Sequence, residues 1–261
     1  MSDLLEYGRT GQPLPVPDII DVHGHLGICG FAIPDTSPTS MVAVMDRMGI
    51  RSIICSSMHC WDVDASRGNR ELLAAMRAFP GRILGYLSVW PAEEAVIRAE
   101  VDFCLEVGFT GVKIHNSQGF PYTHPGYLPA YERAEERRLP ILFHTWGEER
   151  VFAEIAELAG RYPNASMLLA HAGAANVAGY VRMATEHANV FLDTTYSTSP
   201  CGLVEQLVAG AGADKVVWGS DGYFFNQAQQ IGKVLGAKIP DETKIKILST
   251  NALAILSRRV E

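Results

Sequence analysis

The chain has 261 residues, of which 48% are hydrophobic and 20% are charged, and its formal net charge is −7. This composition supports a sizeable core, while the acidic balance and the absence of a basic run argue against nucleic acid as a partner. No apolar stretch approaches the roughly 20 residues of a membrane span, and the N-terminus lacks the pattern of a secretion signal, so no membrane association is expected.

The first 17 residues are rich in proline and glycine, which predicts an irregular lead-in over 1–17. From residue 18 onward, apolar β-rich runs recur eight times, at 18–25, 51–58, 82–90, 110–115, 140–145, 165–173, 189–196 and 215–221. Segments with helical periodicity separate most of them and also follow the last one, at 40–49, 69–80, 91–108, 127–138, 148–163 and 241–257.

Eight strand and helix repeats without a long linker favour a closed barrel over an open sheet. No strand is followed by the GxGxxG phosphate loop that an open dinucleotide-binding sheet would carry. The sequence therefore predicts the α/β class and a (β/α)8 TIM barrel, as a single domain over residues 18–261.

The five cysteines form an odd set without a CxxC pair. Such a set is typical of reduced thiols, so the expected localisation is cytoplasmic.

Histidines and other polar residues occur where the predicted strands end. His23 and His25 end the first strand, and the ends of the later strands carry Lys113, His115, His144, His171 and Asp221. In a TIM barrel the carboxyl ends of the strands form the active-site face. Imidazole and carboxylate ligands suit divalent ions such as zinc, and three or four of them leave a position open for water. A metal-dependent active site is therefore expected at this face.

The motifs HGH (23–25), GVKIH (111–115), LFHTWG (142–147), LLAHAG (168–173), WGSDGYF (218–224) and TNALAIL (250–256) resemble the amidohydrolase superfamily. The nearest branch is the amidohydrolase-related group, which holds both hydrolases and decarboxylases such as aminocarboxymuconate-semialdehyde decarboxylase. The resemblance spans roughly residues 18–257.

The resemblance implies roles for particular residues. It makes His23, His25, His144 and Asp221 metal ligands and Asp221 also the base of catalysis. It places His171 near the metal as an assisting catalytic residue. The implied cofactor is one divalent ion, Zn²⁺ first, with Mn²⁺ or Fe²⁺ as alternatives.

Lys113 is ambiguous by the same resemblance. Some two-metal relatives carboxylate the lysine of the fourth strand and use it as a bridge. Alternatively, Lys113 binds an anionic group of the substrate or forms an ion pair at the barrel mouth. His115 is predicted to contact substrate or to hydrogen-bond the loop that follows it.

Aromatic residues that follow the strands are candidates for the pocket wall. Trp146 follows the fifth strand, Tyr196 ends the seventh, and Tyr223 with its two phenylalanine neighbours follows the eighth. His59 and Trp61 come just after the second strand. Each of these aromatic side chains could instead simply pack a loop.

Three functions remain open at this point. The first, which the sequence favours, is a metal-dependent hydrolase of an amide, lactone or ester, in which Asp221 takes a proton from metal-bound water. The second is a non-oxidative decarboxylase of an aromatic or unsaturated carboxylic acid, with Lys113 and Arg150 as candidate cations for the carboxylate. The third is a non-catalytic barrel that binds a metal or ligand.

The expected partner is a small-molecule substrate. Relatives often assemble, so homo-oligomerisation is left open.

Overall fold

The computed structural model describes residues 4–30, 32–198 and 200–260. Eight strands are found there: β1 Ile19–Leu26, β2 Ile50–Ser57, β3 Ile83–Leu87, β4 Gly111–Ile114, β5 Pro140–Phe143, β6 Ser166–Leu169, β7 Val190–Asp193 and β8 Val216–Val217. The helices of the same residues are α1 Leu4–Thr10, α2 Pro38–Met48, α3 His59–Asp62, α4 Ala65–Ala78, α5 Glu94–Glu106, α6 Leu128–Arg137, α7 Glu149–Arg161, α8 Val177–Glu186, α9 Leu203–Ala211, α10 Gln227–Gly236, α11 Asp241–Ile245 and α12 Asn251–Ser257.

The strands follow one another in the sheet in chain order, and each neighbouring pair is parallel. The sheet closes because β1 hydrogen-bonds the segment that follows β8. Val22 N donates to Trp218 O at 3.1 Å, Asp221 N donates to His23 O at 2.7 Å, and Gly24 bridges Gly222. The predicted single-domain (β/α)8 TIM barrel is therefore confirmed.

The main hydrophobic core joins strands to surrounding helices. Ile19, Ile53 and Val112 of the strands share a buried cluster with Met45 of α2 and Ile155 of α7. All eight residues of β1 are buried, which explains why this strand reads as a continuous apolar run interrupted only by site residues. No helix among the described residues has both the length and the apolarity needed to cross a membrane.

The N-terminal lead-in differs from its prediction. Residues Leu4–Thr10 form a helix rather than an irregular segment, and Gly11, with a φ of +67°, follows its end. Leu4 is buried, its backbone N–H donates to Asp241 Oδ2 at 3.2 Å, and α1 packs against α10. Seven residues are too few for a stable isolated helix, so this contact with the barrel supplies the stabilisation that local sequence does not reveal.

Gly24, between His23 and His25, lies against β2. A Cβ added at Gly24 would lie 2.7 Å from Ile53 Cγ1 and 3.0 Å from Cys55 Sγ. Both of these side chains are completely buried, so neither has free space into which to move. Glycine is therefore required here by the close approach of β2.

We expect Gly24→Ala to lower the free energy of unfolding by about 1–3 kcal/mol, because the new methyl group overlaps Ile53. Urea unfolding followed by circular dichroism measures the change. The Ile53→Ala background should remove part of the cost, so that the double variant is more stable than the sum of the single effects. Gly160→Ala is the control, since nothing lies within 4 Å of a Cβ at that helical position. Equal stability of wild type and Gly24→Ala would contradict this packing account.

Candidate active site

Three predicted metal ligands converge where β1 meets the segment after β8. His23 Nε2 lies 3.2 Å from His25 Nε2, and Asp221 Oδ1 lies 3.3 Å from the first and 2.9 Å from the second. All three residues are buried. Among the described residues they form the one group of three or more histidine, cysteine or acidic side chains whose ligand atoms lie within 4.8 Å of one another.

Backbone geometry brings Asp221 to the two histidines. The barrel-closing hydrogen bond from Asp221 N to His23 O fixes its main chain, and His25 N donates to Gly222 O at 2.6 Å. Asp221 has a φ of +57°, a left-handed conformation that is uncommon for a non-glycine residue. Backbone conformations of this kind cost roughly 1–3 kcal/mol and are concentrated at functional sites.

The arrangement fits a divalent ion. Nitrogen and carboxylate oxygen ligands lie about 2.0–2.2 Å from zinc, so cis or tetrahedral neighbours around one ion are roughly 3 Å apart. The separations among the three atoms here match that requirement without rearrangement. Two imidazoles and one carboxylate also leave coordination positions open for substrate.

The protonation states also suit metal binding. Burial lowers the pKa of His23 well below its usual value, and the charge of Lys113 lowers it further. Burial likewise lowers the pKa of His25. For Asp221 burial raises the pKa, but the interaction with His23 and the hydrogen bond to His25 lower it by more, so the carboxyl group is ionised. Neutral imidazole and carboxylate are the forms that bind metals.

Polar partners behind the two histidines set their ring orientation. His23 Nδ1 lies 2.7 Å from Asp193 Oδ2, and His25 Nδ1 lies 3.1 Å from Ser56 Oγ. Asp193 is itself held by the backbone N–H and the hydroxyl of Thr195, at 3.0 and 2.8 Å. With Nδ1–H donated to these oxygens, each Nε2 lone pair is free to face a metal.

A second buried carboxylate, Asp21, also links β1 to the segment that follows β8. Its Oδ1 accepts from Ser220 N at 2.9 Å and from His23 N at 3.2 Å. Its Oδ2 accepts from Ser220 Oγ at 2.5 Å and from Gln227 Nε2 at 3.2 Å. Asp21 therefore holds His23, Ser220 (which precedes Asp221) and Gln227 together through four hydrogen bonds.

The predicted ligand His144 lies beside the three-residue group rather than within it. Its Nδ1 is 3.2 Å from His171 Nε2, and the centroid of the His171 ring is 5.3 Å from that of His23. His171 has a φ of +56°, and its Nδ1 donates to Thr195 O at 3.0 Å. The assignment of His144 as a ligand and of His171 as a catalytic residue stays a prediction.

Lys113 lies at the base of the site. Its side chain is completely buried, and Nζ lies 3.2 Å from His23 Nε2. Burial lowers its pKa to about 8, while Asp221 and Asp193 act in the opposite direction. Lys113 does not line the substrate-sized cavity described next.

A cavity of about 690 Å³ opens directly above the ligand group. Aromatic rings form much of its wall. Its described lining residues are His25, Ala32, Ile33, Met58, Trp61, His115, His144, Trp146, His171, Ser197, Asp221, Phe224 and Phe225. A cavity of this size beside polar ligands is the usual form of a small-molecule site.

Only some of the predicted substrate-binding residues line this cavity. Trp146 and His115 line the cavity, and the Trp146 ring stacks on His171 with centroids 4.6 Å apart. His115 also accepts a hydrogen bond from Ser117 N, which is the loop contact considered for it, while its contact with substrate stays a prediction. Tyr196 packs against Trp146 with centroids 5.9 Å apart and is not among the lining residues.

Tyr223 lies elsewhere. Its hydroxyl group donates to Ser37 O, and its side chain lines a separate, smaller cavity. Phe224 lines the large cavity instead, and Phe225 lines both cavities. The expectation that Tyr223 contacts substrate finds no support in this placement.

Sequence reasoning missed several residues around the site. Asp193 and Asp21 carried a usable signal, since each is an acidic residue in an otherwise apolar strand and such residues need a partner. Ile33, Met58 and Ser197 carried none, because loop residues reach the cavity only through the path of the folded chain.

Comparison with solved structures shows the same barrel. 5-Carboxyvanillate decarboxylase from Sphingomonas paucimobilis superposes with a TM-score of 0.73 at 14% identity, covering 92% of this chain and 99% of that one. 2,6-Dihydroxybenzoate decarboxylase from Rhizobium gives 0.69 at 16% identity, with coverage of 92% and 98%. Dihydroxybenzoic acid decarboxylase from Polaromonas sp., solved with bound manganese and the inhibitor 2-nitroresorcinol, gives 0.70 at 16% identity, with coverage of 92% and 97%.

No functionally curated protein matches the sequence at a significant level. A family model does match: the one described as Amidohydrolase covers residues 20–258, which include all of the eight strands except Ile19 and every predicted site residue. The strand-end motifs and the ligand geometry agree with that match. This chain belongs to the amidohydrolase family.

Proposed function

We propose that this protein is a metal-dependent, non-oxidative decarboxylase of an aromatic or unsaturated carboxylic acid. The observation that carries the proposal is the position of the aromatic cavity directly above His23, His25 and Asp221. Support also comes from the named structural neighbours, which are decarboxylases of aromatic acids.

His23, His25 and Asp221 would hold the metal, with Zn²⁺ or Mn²⁺ as the candidates for two nitrogen ligands and one oxygen ligand. The ion would bind oxygen atoms of the substrate and neutralise their negative charge. His144 contacts His171 and lines the same cavity as His25 and Asp221. It is therefore a candidate for a further ligand or for a substrate contact.

The cavity wall suits a flat substrate. His115 and His144 stack with ring centroids 3.9 Å apart, and Trp146 lies parallel to His171 within 13°. Trp61 and Phe224 each contact the His25 ring edge-on, with centroids 5.5 and 5.3 Å away. A planar ring held between such faces keeps its carboxyl group in a fixed orientation, which lowers the entropic cost of reaction.

Decarboxylation requires one proton at carbon. The bond between the ring carbon and the carboxylate breaks, CO₂ leaves, and a new C–H bond forms at that carbon. Asp221 is placed for this transfer because it belongs to the ligand group and also lines the cavity. In a hydroxy-substituted acid, the Asp221 carboxylate would take the proton of the hydroxyl group and deliver it to that carbon as CO₂ leaves, and solvent would return a proton to the resulting phenolate.

The hydrolysis expected first from the sequence uses the same ligands and the same base. No residue of the described site favours it over decarboxylation, and the structural neighbours named above do not include a hydrolase. Hydrolysis therefore stays a prediction, and a common assay can distinguish the two reactions.

The assay supplies Mn²⁺- or Zn²⁺-loaded protein with 2-hydroxybenzoates and, separately, with aryl esters, lactones and amides. We expect CO₂ release from an acid of the first group, and a fall of at least about 10³-fold in kcat/KM for Asp221→Asn. Asp214→Asn, an exposed aspartate paired with Lys246, is the matched control and should keep full activity. Turnover of the esters or amides without CO₂ release from any acid would overturn the proposal.

His23→Ala should abolish stable metal binding, since it removes one of three converging ligands. Elemental analysis of purified protein should show about one equivalent of metal in the wild type and less than about 0.1 in the variant. His187→Ala is the control, because His187 is the residue that follows α8, outside the ligand group. Full occupancy in His23→Ala would contradict the ligand assignment.

Asp193→Asn should weaken metal binding by about 10- to 100-fold while leaving the ligands in place. The physical reason is that an amide no longer holds the His23 Nδ1 proton as a carboxylate does, so the ring loses its preferred tautomer and orientation. Titration calorimetry with Mn²⁺ measures the dissociation constant. An unchanged dissociation constant would mean that this hydrogen bond only stabilises the fold.

A further inference from the structure

The described wall of the large cavity lacks the cationic side chains that are common in sites for acids. Apart from Asp221 and Ser197 at its edge, the described lining consists of apolar side chains, aromatic rings and imidazoles. It contains neither lysine nor arginine within the part of the chain that the structure describes. The metal group at the base is therefore the place where a negative charge would be bound.

The described cations near the site do not line the cavity. Lys113 lies beneath the ligand group against His23, and Arg150 extends 71% exposed from α7 and pairs with Glu154. Lys233 donates to the carbonyl oxygens of Thr194 and Tyr196 behind the wall. Of the cations named from the sequence for a substrate carboxylate, neither Lys113 nor Arg150 reaches the cavity.

The imidazoles do not replace them as a second anion site. His115 and His144 stack face to face at 3.9 Å, and two cations at that separation would repel strongly in a buried setting. His144 also contacts His171, and His115 is in contact with Trp61 at 5.3 Å between centroids. These rings form one continuous cluster, in which His115 and His144 are stacked and His144 meets His171 edge-on at 77°.

The cavity is also larger than a single small ring needs. Its volume of about 690 Å³ falls within the range of about 300–1,000 Å³ that holds drug-sized ligands. Ile33, Met58 and Phe225 also line this cavity, and Trp146 stands 39% exposed.

We propose that the substrate is an aromatic monocarboxylate whose remainder is uncharged and larger than one unsubstituted ring, such as a fused two-ring hydroxy acid. This inference rests on the proposed decarboxylation, and it excludes acids with a second carboxylate or a phosphate. A second anion would lie against the half-buried side chains of Ile33, Met58 and Phe225 without a cation, and the partial loss of its hydration would be uncompensated.

Binding of non-reacting analogues tests the pocket without requiring turnover. In these compounds a nitro group replaces the reacting carboxylate: 2-nitrophenol, 1-nitro-2-naphthol and 4-hydroxy-3-nitrobenzoate. The last retains a distal carboxylate. With Mn²⁺-loaded protein in a calorimeter, we expect the naphthol to bind at least about 10-fold more tightly than 2-nitrophenol. The distal carboxylate should weaken binding about 100-fold relative to 2-nitrophenol.

A substitution at Met58 should reverse this selectivity. Met58→Arg places a guanidinium group on the wall at the end of a longer unbranched side chain. It should improve binding of 4-hydroxy-3-nitrobenzoate at least about 10-fold. Met58→Leu is the matched control and should keep the wild-type order. Phe225→Arg is the second variant if Met58→Arg does not fold.

The possible results separate this inference from the proposed function. Equal or tighter binding of the distal carboxylate by the wild type would overturn the inference, as would failure to bind the naphthol, even if a hydroxybenzoate releases CO₂. The expected binding order without CO₂ release from hydroxynaphthoates or hydroxybenzoates would support the pocket's selectivity and overturn decarboxylation. The expected order together with CO₂ release from a hydroxynaphthoate would support both.

Discussion

Closure of the barrel between β1 and the segment after β8 is the constraint on which the site depends. The strand β8 is only two residues long, and the chain beyond it pairs with β1 through single hydrogen bonds rather than a regular ladder. The carboxylate of Asp21 completes that junction by bonding to Ser220, His23 and Gln227. His23 and Asp221, separated by almost two hundred residues in sequence, therefore become neighbours as a direct consequence of closing the sheet.

The site concentrates groups that are individually unfavourable in a protein interior. Asp21, Asp193, Lys113 and several histidines are buried together, and burial raises the pKa of Asp21 to about 7 and of Asp193 to about 6. Hydrogen bonds from Ser220 and Thr195 oppose these shifts. Removing one partner from such a network would leave a buried polar group without a bond, which typically costs about 1–3 kcal/mol. A rigid set of orientations results, and rigidity is what a metal site needs.

Above this polar base, the wall of the cavity is mostly aromatic and apolar. Trp146 stacks on His171 while Phe224 contacts His25, so aromatic side chains cover the ligand residues themselves. The division between a charged base and an apolar wall underlies both the proposed reaction and the proposed substrate class.

By itself the sequence determined the barrel and the face on which the site lies. Continuous apolar runs such as 165–173 must be buried, and polar residues at their ends must find partners at one end of a parallel sheet. The pairing of His23, His25 and Asp221 followed from that rule and from the family resemblance.

Only the tertiary structure decided the remaining features. Leu4–Thr10 becomes helical through its contact with α10, and Tyr223 turns away while its neighbour Phe224 enters the cavity. His144 meets His171 outside the compact ligand group, and Lys113 is enclosed beneath it. The position of a residue along its strand fixes which end of the barrel it reaches, whereas the place of a loop side chain depends on loop paths and on packing among residues distant in sequence.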